Sequence, residues 1–86
     1  MLKLNNPPAA DKNMPETYIK GHQVAYEENA SQGAYYLEHH LNQQEATAMF
    51  TEARMRGRYP FEDAQRRHYV LSHNSDGTYT IIHKQY

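Results

Sequence analysis

Apolar and polar residues alternate with two different periods along this chain, and the clearest helical period lies between Asn42 and Gly57. The stripe has the i, i+3, i+4, i+7 spacing of one helix face and consists of Ala46, Met49, Phe50 and Ala53. Asn42 followed by Glu45 has the form of a capping box, and glycine is common just beyond the last turn of a helix. The sequence therefore predicts a helix over residues 43–56.

The C-terminal part alternates with a period of two, which is typical of strands. The segments RHYVLS and TYTIIH are joined by Asn74-Ser75-Asp76-Gly77, which fits a type I turn followed by a glycine bulge. If Asn74 faces Thr78, four residues share the face expected to pack on the helix: Tyr69, Leu71, Tyr79 and Ile81. Val70 and Ile82 then lie directly opposite each other on the far face.

The segment from Asn13 to Glu28 is ambiguous between a helix and a strand. Its first residues resemble a helix start, and spacings of three and four follow through Tyr18, Ile19, His22, Ala25 and Tyr26. Gly21 weakens a helix here by about 1 kcal/mol relative to alanine. The alternative is a strand through HQVAYE that pairs with AYYLEHH across Asn29–Gly33. We expect the helix, with Gly33 as its stop and a short aromatic strand over residues 34–39.

Together these elements predict a single α+β domain over residues 14–86. We expect a small three-stranded antiparallel sheet with one or two helices packed on it, in the order α-β-α-β-β. Residues 1–13 contain two adjacent prolines and little to bury. They are therefore expected to form a flexible N-terminal arm.

Composition limits the classes of protein to consider. Leu, Ile, Val and Phe together number only 12, so the core should be thin and rich in tyrosine. The net charge of −1 argues against a protein that coats nucleic acid non-specifically, which needs a basic surface. Cysteine is absent, which excludes disulfides, thiolate zinc sites and cysteine nucleophiles. No apolar run is long enough to span a membrane, so we expect a cytoplasmic protein that uses no membrane.

Candidate catalytic chemistry is weak. The chain has six histidines, but none forms a His-x3-His pair or an HExxH motif. None of the three serines lies in a GxSxG elbow, and the four glycines are not clustered into a phosphate-binding loop. We therefore expect no enzymatic activity, no metal site and no cofactor.

The arginines are unevenly distributed, because all five fall between residues 54 and 67. Arginine beside aromatic residues is typical of protein interfaces and of nucleic-acid contacts. The predicted partner-binding residues are Arg54, Arg56, Arg58, Tyr59, Arg66 and Arg67. Arg54 and Arg56 have a simpler explanation as complements to the helix dipole, but this does not account for Arg66 and Arg67.

These observations favour a small binding protein that acts on another protein as a regulator, adaptor or inhibitor, of the kind that phages and plasmids carry as accessory proteins. The alternative is a nucleic-acid-binding regulator that uses the basic segment Arg54–Arg67. The outward pair Val70 and Ile82 predicts a homodimer interface, because exposed apolar patches usually mark contacts. Coverage of that pair by the first helix is the monomeric alternative.

Overall fold

A computed structural model describes residues 14–84, so the predicted arm at 1–13 lies outside the described residues. A 3₁₀ turn at Glu28–Ala30 precedes the helices. The strands and helices in chain order are β1 (Glu16–Ile19), β2 (His22–Tyr26), α1 (Ser31–His39), α2 (Gln43–Arg56), β3 (Arg58–Glu62), β4 (His68–His73) and β5 (Tyr79–Lys84).

The strands form one five-stranded sheet in the order β1-β2-β5-β4-β3. Neighbours pair antiparallel except β2 and β5, which run parallel. The α+β class is correct, but the predicted three-stranded antiparallel sheet is wrong. The N-terminal segment and β3 supply three strands that were not predicted, and the strand predicted over residues 34–39 is helical. The parallel pair also requires the chain to cross between β2 and β5, and α1 and α2 lie within that crossover.

Two predicted elements are confirmed. The helix at 43–56 is α2, and the Asn42 side chain and Glu45 form its capping box. Glu52 and Arg56 pair at 2.8 Å along it, and Gly57 follows its last turn. The hairpin β4–β5 has the predicted register, in which Val70 lies opposite Ile82.

The helix predicted for the N-terminal segment is instead the hairpin β1–β2. Its turn is the two-residue pair Lys20-Gly21, and both residues have positive φ, at 51° and 90°. These values suit a type I′ turn, which matches the twist of the flanking strands. Ile19 and His22 are directly paired and share one face, whereas Tyr18 lies on the other, so the apparent helical stripe is distributed over both faces of the sheet.

The strand predicted over residues 34–39 is instead part of α1. Its buried residues are Gly33, Ala34 and Leu37, at helical spacing. Gly33 does not stop an element but lies within the first turns of this helix. A Cβ at this glycine would lie 2.8 Å from Cδ1 of Tyr69, so glycine is what allows α1 to approach the sheet this closely.

Both helices pack on one face of the sheet, which we call the inner face. Its core includes Val24, Phe61, Tyr69, Leu71 and Ile81 from the strands, with Leu37 and Phe50 from the helices. Side chains alternate along strands, so the opposite, outer face carries the residues between them. This outer face includes Glu16, Tyr18, Ala25, Arg58, Pro60, Glu62, His68, Val70, Thr80, Ile82 and Lys84. No described helix covers it.

The stability of the fold should depend on the protonation of His22. Its ring stacks on Phe50 with centroids 4.1 Å apart, and burial together with the charge of Arg54 lowers the pKa of His22 below its ordinary value of 6.5. The unfolded chain therefore binds this proton more readily, so stability falls as the pH drops below about 6.5. Urea unfolding at pH 7.5 and 5.5 should give a smaller loss for His22→Phe than for wild type. The exposed His39→Gln variant should retain the wild-type loss, and equal losses in His22→Phe and wild type would contradict the assignment.

Candidate partner-binding groove

Asp63 follows β3 and organises the loop that leads to β4. Its carboxylate accepts hydrogen bonds from the backbone N–H of Gln65 at 2.9 Å and of Arg67 at 2.9 Å. It also accepts the Nε–H of Arg67 at 2.7 Å and the hydroxyl of Tyr69 at 2.9 Å. The residue is only 7% exposed, and a buried carboxylate requires this degree of hydrogen bonding. The loop conformation and the Arg67 side chain are therefore held by one anchor.

Electrostatics keep this network in one protonation state. Burial opposes ionisation of Asp63, but hydrogen bonds from Arg67, Tyr69 and Gln65 together hold the pKa of its carboxyl below the ordinary value of 3.8. Burial and the hydrogen bond to Asp63 raise the pKa of Tyr69 to about 12. At neutral pH, Asp63 is therefore ionised and accepts a hydrogen bond from the protonated phenol of Tyr69. Arg67 is its cationic partner.

A row of stacked rings connects this network to the surface of α1. Tyr69 stacks on Phe61 with centroids 5.3 Å apart, and Phe61 lies parallel to Tyr36 at 6.4 Å. Tyr36 in turn stacks on His40 at 5.5 Å. The row runs from the buried Tyr69 to the exposed His40. The aromatic side chains on the surface of α1 are therefore packed against rings of the core.

A groove of about 240 Å³ lies between α1 and the β3–β4 loop. We call it the α1 groove; it is lined by Gln32, Tyr35, Tyr36, His40, Asp63, Ala64, Gln65 and Arg67. Tyr35 is 55% exposed, and its ring contacts that of His39 at a centroid distance of 4.3 Å. Arg67 has 40% of its side chain exposed. The groove therefore combines a fixed guanidinium with aromatic walls.

Arg66 lies beside the groove in an unusual backbone conformation. It is exposed and has φ of +67°, a region that side chains other than Gly, Asn and Asp rarely adopt. Its backbone N–H donates to the carbonyl of Asp63 at 2.9 Å. The Asp63 network thus fixes the position from which the Arg66 side chain projects.

The structure divides the predicted partner-binding residues between the two ends of β3. Arg54 and Arg56 lie exposed at the end of α2, and Arg58 opens β3 on the outer face. Tyr59 points to the inner face and packs against the core. Beyond the other end of β3, Arg67 lines the α1 groove, and Arg66 lies in the chain between two lining residues, Gln65 and Arg67.

The predicted interface pair lies on the outer face. Val70 is 8% exposed and Ile82 is 37% exposed, and their direct pairing follows the expected register. The segment predicted as a covering helix is the hairpin β1–β2, which extends the sheet instead. That alternative therefore no longer explains the pair.

Sequence reasoning missed Tyr35, Tyr36 and His40 as site residues because it placed them in a strand. The available signal was a spacing of four, which joins Tyr35 to His39 and Tyr36 to His40. Residues four apart meet on one helix face, whereas in a strand the adjacent tyrosines would point to opposite faces.

Among residues 14–84, no group of three or more histidines, aspartates or glutamates is placed to hold a metal ion. Nor is any helix in that range long and apolar enough to cross a membrane. Comparison with protein-family models, curated proteins and solved structures finds no match. Function must therefore be argued from the geometry of this chain.

Proposed function

We propose that this protein is a small non-enzymatic binding protein that acts on another protein by holding one of its acidic side chains in the α1 groove. The observation that carries the proposal is the guanidinium of Arg67, which Asp63 fixes through Nε at 2.7 Å while 40% of the side chain stays exposed. A guanidinium held in this way loses little further rotamer freedom when its terminal N–H groups receive a carboxylate.

The surroundings of Arg67 support an acidic protein ligand. The charge of Asp63 offsets that of its partner Arg67, so the net positive charge beside the groove comes from Arg66. Opposite charge on a partner would guide its approach and fix its orientation. Tyr35 and Tyr36 supply rigid rings that gain contact area at low entropic cost, and tyrosine and arginine are the residues that interfaces favour.

The alternative is a nucleic-acid-binding regulator that uses the segment Arg54–Arg67. Arginine beside aromatic rings can also contact phosphates and stack on bases. Two features favour a protein partner. The chain has a net charge of −1, and its arginines are divided between the ends of β3, whereas non-specific nucleic-acid binding relies on many phosphate contacts.

A protein of this kind would act as a regulator, adaptor or inhibitor, as accessory proteins of phages and plasmids do. We place its action in the cytoplasm, because a chain without cysteine gains nothing from the disulfides that oxidising compartments allow.

The proposal predicts that partner binding depends on Arg66. Replacing it with asparagine removes the charge but suits the left-handed backbone, so the fold should be preserved. We expect affinity for the partner to fall by about 5- to 30-fold, the effect of a modest interface hot spot. The partner is first isolated by affinity capture from the source cell, with nuclease present throughout. It is then titrated against wild type and against Arg66→Asn to compare the two affinities.

The matched control is Arg56→Gln, which removes an exposed arginine at the other end of β3 and should leave affinity unchanged. A Tyr35→Ala variant should weaken binding as Arg66→Asn does. A partner that nuclease removes would support the nucleic-acid alternative. A partner bound equally by wild type, Arg66→Asn and Tyr35→Ala would overturn the assignment to the α1 groove.

A further inference from the structure

The outer face carries one apolar row that crosses three adjacent strands. Pro60 lies opposite Val70, and Val70 lies opposite Ile82. Val70, the middle member, is 8% exposed, whereas Ile82 is 37% exposed. The side chains of this row carry no group that could form a hydrogen bond with water.

Polar rows flank the apolar row on both sides. On one side, Arg58, Ser72 and Thr80 are aligned across β3, β4 and β5. On the other side, Glu62, His68 and Lys84 are aligned across the same strands. On β3 itself, the apolar row therefore lies midway between a cation and a carboxylate.

We propose that a second copy of this chain docks face to face on the outer face, with the two-fold axis along the row Pro60–Val70–Ile82. Rotation about this axis exchanges the two flanking rows. It places Arg58 over Glu62 of the partner subunit and Glu62 over the partner subunit's Arg58. Each apolar residue of the row then meets its own copy, as a two-fold interface requires.

Charge complementarity identifies the occupant as a second copy. Arg58 and Glu62 are four residues apart on one strand, a separation of about 13 Å, so they cannot pair within one chain. Glu62 approaches His68 of its own chain only at 3.7 Å. A symmetric contact would bring Arg58 and Glu62 of opposite subunits together.

Pro60 disfavours docking through the β3 edge of the sheet. β3 is an edge strand, and proline in its centre has no backbone donor for an added strand. The α1 groove lies on the helix side of the sheet, so a dimer formed in this way leaves it accessible.

Charge reversal tests this geometry. Sedimentation equilibrium should give wild type a mass of twice 10.1 kDa. Arg58→Glu or Glu62→Arg alone places like charges together and should raise the dimer dissociation constant at least tenfold. The double variant Arg58→Glu with Glu62→Arg should restore dimerisation. Arg66→Glu, a charge reversal beside the groove, serves as the control and should remain dimeric.

Ile82→Lys gives a second test that does not depend on the charge pair. Ile82 is 37% exposed, so lysine is compatible with the folded chain, which circular dichroism would confirm. In the dimer it would bring two ammonium groups together on the axis and should cause dissociation. A monomeric wild type, a folded double variant that stays monomeric, or a dimeric Ile82→Lys would each overturn the proposal.

Discussion

Replacing Asp63 with alanine should lower the free energy of unfolding by about 3 kcal/mol, the lower end of what removing one partner of a buried ion pair costs. The lower end applies because Arg67 is 40% exposed and can turn to solvent. Tyr69 cannot, since its side chain is 1% exposed and its hydroxyl would lose its acceptor. Two backbone N–H groups of the loop would lose their acceptor as well. Urea denaturation monitored by circular dichroism measures the change.

Asp76→Ala provides the matched control. Asp76 also accepts a backbone and a hydroxyl hydrogen bond, both from Thr78, but it lies exposed in the β4–β5 turn and its removal should have a much smaller effect.

The loss of stability at acidic pH, which we call the acid limb, gives a second measurement. Because the folded pKa of Asp63 is below 3.8, its contribution is present above that pH and is lost as the pH falls through the folded value. Asp63→Ala should show a shallower acid limb, and a variant as stable as Asp76→Ala would contradict the role of the network.

The second large effect is expected for Gly33→Ala, which should destabilise the fold by about 1–2 kcal/mol although alanine is the better helix former. Alanine gains about 1 kcal/mol in helix propensity, whereas overpacking a core costs about 1–3 kcal/mol or more. The new Cβ would lie 2.8 Å from Cδ1 of Tyr69 and 3.0 Å from its Cε1. That ring cannot withdraw, because its hydroxyl is bonded to Asp63 and it stacks on Phe61.

Gln32→Ala tests the same helix without the contact. Gln32 is the neighbouring, exposed residue of α1, so alanine there should be neutral or slightly stabilising. Thermal unfolding of both variants beside wild type separates the effects. Equal stability of Gly33→Ala and Gln32→Ala would mean that α1 can move away from the sheet freely.

The elements that could be predicted from the sequence are those specified by local signals. Asn42 and Glu45 fix the start of α2 through bonds within one turn. The β4–β5 register follows from a turn in which the N–H of Gly77 donates to Asn74 and that of Asn74 donates to Thr78. In both cases the residues that decide the structure are within four positions of each other.

The hairpin β1–β2 was missed because its turn lacks the usual composition. Type I′ turns favour asparagine, aspartate or glycine at both central positions, and here the first is Lys20. The strands are short, so spacings of three and four through His22 competed with the alternation of Val24 and Tyr26. Only the tertiary contact of these residues with the core decides between the two periods.

The helix α1 was missed for the opposite reason, because side-chain type outweighed spacing. Ala30, Ala34 and Leu37 are buried and lie four and three residues apart, which predicts a helix. Adjacent tyrosines and a glycine at 33 suggested a strand after a stop. Glycine here reflects the close approach to Tyr69, a contact between residues far apart in sequence. The α1 groove depends on the same contact and could not be derived from local patterns.

The position of β5 determines the order in which this protein can assemble. It is the last described strand, yet it lies in the sheet between β2 and β4. During synthesis the N-terminal hairpin therefore has no sheet to join until Tyr79 and the residues after it are available to pair with Val24. Closing the long chain segment between β2 and β5 is slow compared with forming a hairpin or a helix. A nascent chain would contain the β1–β2 hairpin and the helices with the edge of β2 unpaired. Insertion of β5 between β2 and β4 would then join the strands into a single sheet.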